Sequence, residues 1–109
     1  MTSSSRESEL ERAEAVRTAL SAVEDPELGI DVVSLGLVYE VDVVGDRARV
    51  TYTLTSMGCP VAPVIEHDIT TAALGVDGVE RVDTELVFDP PWSPDRMSED
   101  AKFVLGFLV

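Results

Sequence analysis

The chain holds a single cysteine, Cys59, a single histidine, His67, a single tryptophan, Trp92, and a single lysine, Lys102. Each scarcity excludes something. One cysteine forms no internal disulfide, and a lone thiol survives best in a reducing compartment, so the expected location is cytoplasmic. Zinc takes four ligands, usually cysteine and histidine, and an iron–sulfur cluster normally takes four thiolates, so this chain alone does not furnish either set. No apolar run approaches the roughly 20 residues that span a bilayer. The start, "MTSSSRESELERAE", lacks the basic-then-apolar layout of a signal peptide. There is no Gly-rich phosphate loop, no G-x-S-x-G and no H-E-x-x-H.

Positive charge is also scarce. Eight basic residues face 21 acidic ones, a net charge of −13. That balance argues against nucleic-acid partners, whose phosphates attract Lys/Arg-rich surfaces, and against anionic membranes. The acids are dispersed and do not form a tail. Dispersed acidity with little lysine suits either a halophilic source, where salt screens self-repulsion, or an ordinary acidic bacterial protein. In both cases the charge informs solubility, not activity.

What is present reads as one domain of 109 residues with 45% apolar content, enough to build a core. Residues 1–7 read as a Ser-rich, flexible tail ahead of a single domain at 8–109. Leu10, Ala13, Val16, Leu20 and Val23 recur at helical spacing and predict a helix over 8–23, with Ser8 and Glu11 as a capping box and Asp25-Pro26 as its stop. The loop 24–36 is unusually apolar and must pack against something. Strands are expected at 37–44, with Tyr39, Val41 and Val43 on one face, and at 48–55, joined by a Gly45-Asp46 turn. A second helix is expected over 60–75, with Val61, Ile65, Ile69 and Ala72 on one face, Val64 at its edge and Gly75 as cap. A third strand follows at 79–88, then the irregular "DPPWSPDRM", then a short helix from Ser98 to about Leu105. The predicted fold class is α/β: a small two-layer sandwich in the order helix–hairpin–helix–strand–helix, with helices on one face of a three-stranded mixed sheet.

The chemistry concentrates in "TLTSMGCPVAPVIEH", residues 53–67. Cys59 falls where the second strand gives way to the second helix. A helix N-terminus offers unpaired amides and partial positive charge, which stabilise a thiolate. Gly58 leaves the sulfur uncrowded, Pro60 suits a first helical turn, and Thr55 and Ser56 supply hydroxyls. The plainer reading is a buried cysteine acting as a small hydrophobe. His67 lies two helical turns beyond Cys59, about 11–12 Å along the axis, which opposes a Cys/His dyad and favours a solvated histidine. Asp25-Pro26-Glu27 and Asp89-Pro90-Pro91-Trp92 are rigid turns carrying acids, and Trp92 is either a lid on the core or a partner contact.

The stretches "DPELGIDVVSLGLVYEV", "TLTSMGCP", "GVERVDTELVFDPPW" and "MSEDAKFVLGF", in that order, resemble the PaaD/SufT-like family of iron–sulfur (metal–sulfur) cluster assembly factors, which has a relative in the eukaryotic cytosolic assembly machinery. The resemblance spans residues 10–107. It implies a fold similar to the C-terminal domain of NifU-type scaffolds. It also implies Cys59 as the functional metal-handling residue, and Asp25, Thr55 and Ser56 match positions around it; with Gly58 beside the sulfur they form the expected supporting set, and Trp92 is the expected partner contact. The implied role is a carrier or adaptor in iron–sulfur protein maturation, not an enzyme. The implied cargo is an iron–sulfur cluster or an iron or zinc ion held transiently, and the implied partners are the assembly machinery and client apoproteins. PaaD-type members carry an extra cysteine-rich segment; its absence here points to the shorter, general assembly type. A homodimer is expected, because it would pair two thiols and cover a sheet edge. Two readings compete: a thiol-dependent enzyme, which needs a basic group near the sulfur, and a non-catalytic interaction module in which Cys59 only packs.

Overall fold

The computed structural model describes residues 2–55 and 60–106, with side chains described from Ser8 onward. The order is α1 (Thr2–Leu20), β1 (Val38–Val44), β2 (Arg47–Tyr52), α2 (Ala62–Leu74), β3 (Arg81–Leu86), a 3-10 turn at Pro94–Arg96, and α3 (Glu99–Val104). This is the expected helix–hairpin–helix–strand–helix sequence, on a three-stranded sheet ordered β1-β2-β3.

The first helix departs from its expected bounds at both ends. It begins at Thr2, so residues 2–7, expected as a tail, continue its helical backbone and Ser8 caps nothing. No glycine or proline lies in that stretch to stop it. It ends at Leu20 because the amides of Ser21, Ala22 and Val23 bond to carbonyls three residues back at 3.0–3.1 Å, a tightened turn. Val16 and Leu20 are fully buried, and Val23 follows at 5% exposure. Leu10, expected on the same stripe, is instead exposed. Its neighbours Glu9 and Arg12 already reach the hairpin tip, where Glu9 accepts from the Gly45 amide at 2.7 Å and Arg12 donates to the Gly45 carbonyl at 2.8 Å. The sheet offers Leu10 little to pack on beyond that point.

Gly45 and Asp46 make the hairpin turn, with Gly45 at φ +62, a conformation that favours glycine. β1 and β2 pair antiparallel, and β2 and β3 pair parallel with Ala48 opposite Val82 and Tyr52 opposite Leu86. Val41 pairs with Val50 and Val43 with Ala48 on the inner face. The expected face of β1 breaks at Tyr39, where a bulge lies between Val38 and Glu40. The extra residue flips the alternation, so Val38, not Tyr39, is the buried partner of Tyr52. β2 leaves the ladder at Tyr52, short of Thr55, but the chain stays in the core: Thr53 and Leu54 are buried, and the Thr53 amide donates to Leu37 O at 2.8 Å.

α2 starts at Ala62, with Pro63 in its first turn, and buries Ile65, Ile69 and Ala73. Ala72, expected on the buried face, sits at its partly buried margin. Gly75 caps the helix in a right-handed conformation, φ −74, with its amide bonded to Thr71 O and Ala72 O at 3.2 Å; the left-handed reversal comes later, at Gly78, φ +89. The apolar loop 24–36 packs as expected, with Val32 and Leu35 fully buried. α3 is capped by Ser98, whose hydroxyl accepts from the Ala101 amide at 3.1 Å. It is tied to the loop 24–36 through the Ser98 amide, which donates to Ser34 O at 2.8 Å. α1 and α2 lie against the inner face of the sheet, while the outer face carries Glu40, Asp42, Arg47, Arg49, Asp83 and Glu85 open to solvent.

Candidate metal–thiol site

Three of the sequence-predicted site residues, Ser56, Gly58 and Cys59, lie outside the described residues. Their frame is described on both sides. Thr55 is an exposed bend three residues after the end of β2, and Pro60 is an exposed turn before α2. The segment therefore links the C-terminal end of a central strand to the N-terminal end of a 13-residue helix. Val61, at the cap position, provides no side-chain hydrogen bond, and the Ile65 amide makes the first helical bond, to Val61 O at 3.0 Å. Pro63 has no amide hydrogen, so the Ala62 and Val64 amides are the donors left over in the first turn, where the helix dipole favours negative charge.

Asp25 is nearly fully buried, at 4% exposure. One carboxylate oxygen accepts from the Glu27 amide at 2.8 Å. Its main-chain carbonyl accepts from the amides of Leu28 and Gly29 at 3.2 and 2.8 Å, and its own amide donates to Ile30 O at 3.0 Å. In this geometry Asp25 builds the D-P-E-L-G turn. Trp92 is half-buried against the core, and its indole N–H donates to Leu35 O at 2.7 Å. Of the two roles expected for Trp92, the described contacts are those of a lid. His67 is exposed, as expected for a solvated histidine. No hydrogen bond or ion pair joins Asp25, Thr55 and Trp92 to one another among the described residues.

The backbone nevertheless gathers their segments. The Thr53 amide bonds to Leu37, Trp92 to Leu35, and the Val87 amide to Tyr52 O at 2.9 Å. The loop ending at Leu37, the T-L-T stretch and the D-P-P-W strap thus meet at the end of the sheet where β2 stops. Sequence reading missed two groups at this end. Arg96 stacks on the Tyr39 ring, 4.6 Å from its centroid, and the Tyr39 hydroxyl donates to Pro90 O at 2.8 Å. They border a depression of about 440 Å³ lined also by Gly36 and Val38. The two residues are 57 apart in sequence, and only the docked strap unites them. Tyr52 is the second: its phenol is pushed above the ordinary 10.0, first by burial and then by the charge of Glu66. Among the described residues no three His, Cys, Asp or Glu side chains form a metal-holding group. No described helix is long and apolar enough to cross a membrane.

Comparison with known proteins agrees with this geometry. The chain is 47% identical over 94 residues to the Fe–S protein maturation auxiliary factor YitW of Bacillus subtilis, covering 85% of this chain and 92% of that protein. It is 46% identical over 83 residues to the Fe–S protein maturation auxiliary factor SufT of Staphylococcus aureus, covering 75% and 94%. Among solved structures, a domain of unknown function from Bacillus anthracis superposes with a TM-score of 0.89 at 41% identity, covering 93% of this chain and 97% of that one. A conserved hypothetical protein from Thermotoga maritima gives 0.76 at 44% identity, covering 88% and 93%. The family profile described as iron-sulfur cluster assembly protein matches residues 13–84, and with relatives of this identity and coverage the chain belongs to that family.

Proposed function

We propose that this protein is a maturation factor for iron–sulfur proteins, acting as a carrier or adaptor through Cys59 and not by catalytic turnover. The observation that carries the reading is the junction of β2 and α2. The Gly58-Cys59-Pro60 stretch precedes a helix N-terminus with no side-chain cap among the described residues and two amides without helical partners, a setting that favours a thiolate. Thr55, Ser56 and Gly58 are its immediate surroundings in sequence, and Asp25, buried in the turn before Glu27, is the fourth supporting residue of this proposal. A single thiolate leaves most coordination positions of an iron ion, a zinc ion or a cluster to other molecules. Such cargo is held openly and passed on, which suits delivery.

The partners follow from the same logic: assembly proteins that load the cargo, client apoproteins that receive it, and a second copy of this chain. Trp92 belongs to the strap that would meet them. A relative in Deinococcus radiodurans named iron-sulfur cluster carrier protein contains a stretch 44% identical to 67% of this chain, and that stretch is only 21% of the carrier. In that protein the matching stretch is part of a longer chain, and we infer that carriers of that kind are among the partners of the present protein. A reducing cytoplasmic compartment suits the lone thiol.

The test is anaerobic purification of wild type and Cys59→Ser with iron, zinc and sulfide analysis, alongside the activity of iron–sulfur enzymes in cells carrying each form. Loss of bound metal and of client activity at unchanged protein level is expected. Normal client activity with Cys59→Ser, at equal abundance, overturns the reading.

A further inference from the structure

The outer face of the sheet concentrates positive charge in a chain that has little of it. Three of the eight basic residues, Arg47, Arg49 and Arg81, stand there, in a chain with 21 acids. The ladder register arranges the face in three rows across β1, β2 and β3. At the end where β2 stops, the row is Glu40, Thr51 and Glu85; the middle row is Asp42, Arg49 and Asp83; the row at the hairpin end is Val44, Arg47 and Arg81. One end of the face is therefore acidic and the other basic, with Asp46 of the turn at the rim of the basic end. Arg49 is paired with Glu85 at 2.7 Å and Arg47 with Asp83 at 3.4 Å. Arg81 makes no ion pair among the described residues. The basic end borders a depression of about 670 Å³, and Val44 beside it is two-thirds exposed. No described helix covers this face, although β2 and β3 are parallel, a pairing usually found with both faces covered.

We infer that this face is the self-association surface of the protein: two copies stack outer face to outer face about a two-fold axis across the strands, so that Arg81 of each copy meets Glu85 of the other. The two-fold operator reverses the rows and keeps the columns, which brings each acidic end over the other copy's basic end; the middle row meets itself, with Arg49 and Asp83 held in ion pairs to Glu85 and Arg47 of their own copy. A two-fold axis along the strands instead sets Glu40 and Glu85 of one copy over the same row of the other, and like charges oppose it. Three strands of six or seven residues present a face of roughly 14 by 20 Å. Two such faces meet over roughly 560 Å² of flat area, well below the standard size of specific complexes, so the dimer is weak and reversible. This geometry revises the sequence expectation. The two copies of β2 end at opposite ends of the stacked faces, and the contact leaves the sheet edges free. The inference specifies the self-association proposed above and does not depend on what Cys59 binds.

Sedimentation velocity of wild type, Arg81→Glu, Glu85→Arg and an equimolar mixture of the two variants tests it, at about 0.15 M salt, where the Debye length of about 8 Å screens the net charge. Wild type shows a concentration-dependent mass above the 11.8 kDa monomer. Each variant alone places like charges at both contacts and stays monomeric. The mixture restores two Arg–Glu contacts per pair and regains the wild-type dimer fraction, a result that neither misfolding nor a simple loss of charge produces. A wild type that remains at monomer mass up to millimolar concentration overturns the inference. So does a mixture that stays monomeric, or variants that associate as wild type does through another surface. Iron and zinc content of the variants is expected to match wild type, which separates this outcome from failure of the Cys59 reading.

Discussion

The indole N–H of Trp92 donates to the main-chain carbonyl of Leu35 at 2.7 Å, across a sequence separation of 57 residues. One bond thus fastens the D-P-P-W strap to the buried loop that precedes β1. Trp92→Phe keeps an aromatic ring on the core but leaves the Leu35 carbonyl without this donor. A loss of about 1 kcal/mol is expected, read as a melting temperature about 5 °C lower. If Trp92 also meets partners, Trp92→Phe lowers client activity by more than this stability loss accounts for.

Gly36 and Arg96 fix the strap a second time. A Cβ on Gly36 would fall 2.2 Å from the Arg96 carbonyl oxygen, and Gly36 sits at φ +76. Gly36→Ala must move backbone against backbone and is expected to cost more than 2 kcal/mol in denaturant unfolding. Gly29 provides the comparison: its φ is +69, but nothing lies within 4 Å of the added Cβ. Gly29→Ala therefore pays only the left-handed backbone penalty, about 1–2 kcal/mol. Equal losses at the two sites would show that the strap is not held where Gly36 meets Arg96.

Asp25 separates a structural role from a role at the metal site. Its carboxylate accepts the Glu27 amide at 2.8 Å while 4% exposed. Asp25→Asn retains an acceptor oxygen of the same size, so stability is expected within about 0.5 kcal/mol of wild type. Asp25→Ala removes the acceptor and leaves the amide unsatisfied, at a cost of about 1–3 kcal/mol. As a supporting residue of the Cys59 site, Asp25 acts through its charge, so Asp25→Asn lowers iron or zinc retention without lowering the melting temperature. Unchanged retention assigns Asp25 to the turn alone.

Where local signals and packing agree, the elements were legible in the sequence. The Gly45-Asp46 hairpin, the parallel third strand and the buried stripe of Ile65 and Ile69 all follow from periodicity and turn chemistry. The misplacements have a shared cause. The face of Tyr39 and the exposure of Leu10 depend on a bulge and on the height of the hairpin tip, neither of which is encoded in the spacing of one segment. The candidate site divides in the same way. Cys59 stands out because glycine, cysteine and proline sit together at a strand–helix joint. Arg96 carries no local mark, since its contact with Tyr39 exists only once residues far apart in the chain are docked. The sign order on the outer face likewise needs the register between β2 and β3, which alternation within a single strand does not contain.

Tyr52 gives the alkaline limb of stability a defined origin. It is 2% exposed, and its phenol is raised above 10.0 by burial and then by Glu66. Below pH 10 the phenol is neutral in both folded and unfolded chains, and the full stability is present. Above it the unfolded chain ionises first and binds fewer protons than the folded one, so stability falls as pH rises toward the folded value. Unfolding measured from pH 7 to 11 should therefore show a loss of stability that begins near pH 10 in wild type. Tyr52→Phe removes the ionisation, fills the same space and flattens that limb, with little change at pH 7. Glu66→Gln takes away the smaller of the two causes, so the limb still begins near pH 10 but ends at a slightly lower pH and costs less stability. A wild type and a Tyr52→Phe variant that lose stability in parallel above pH 10 would place the titrating group elsewhere.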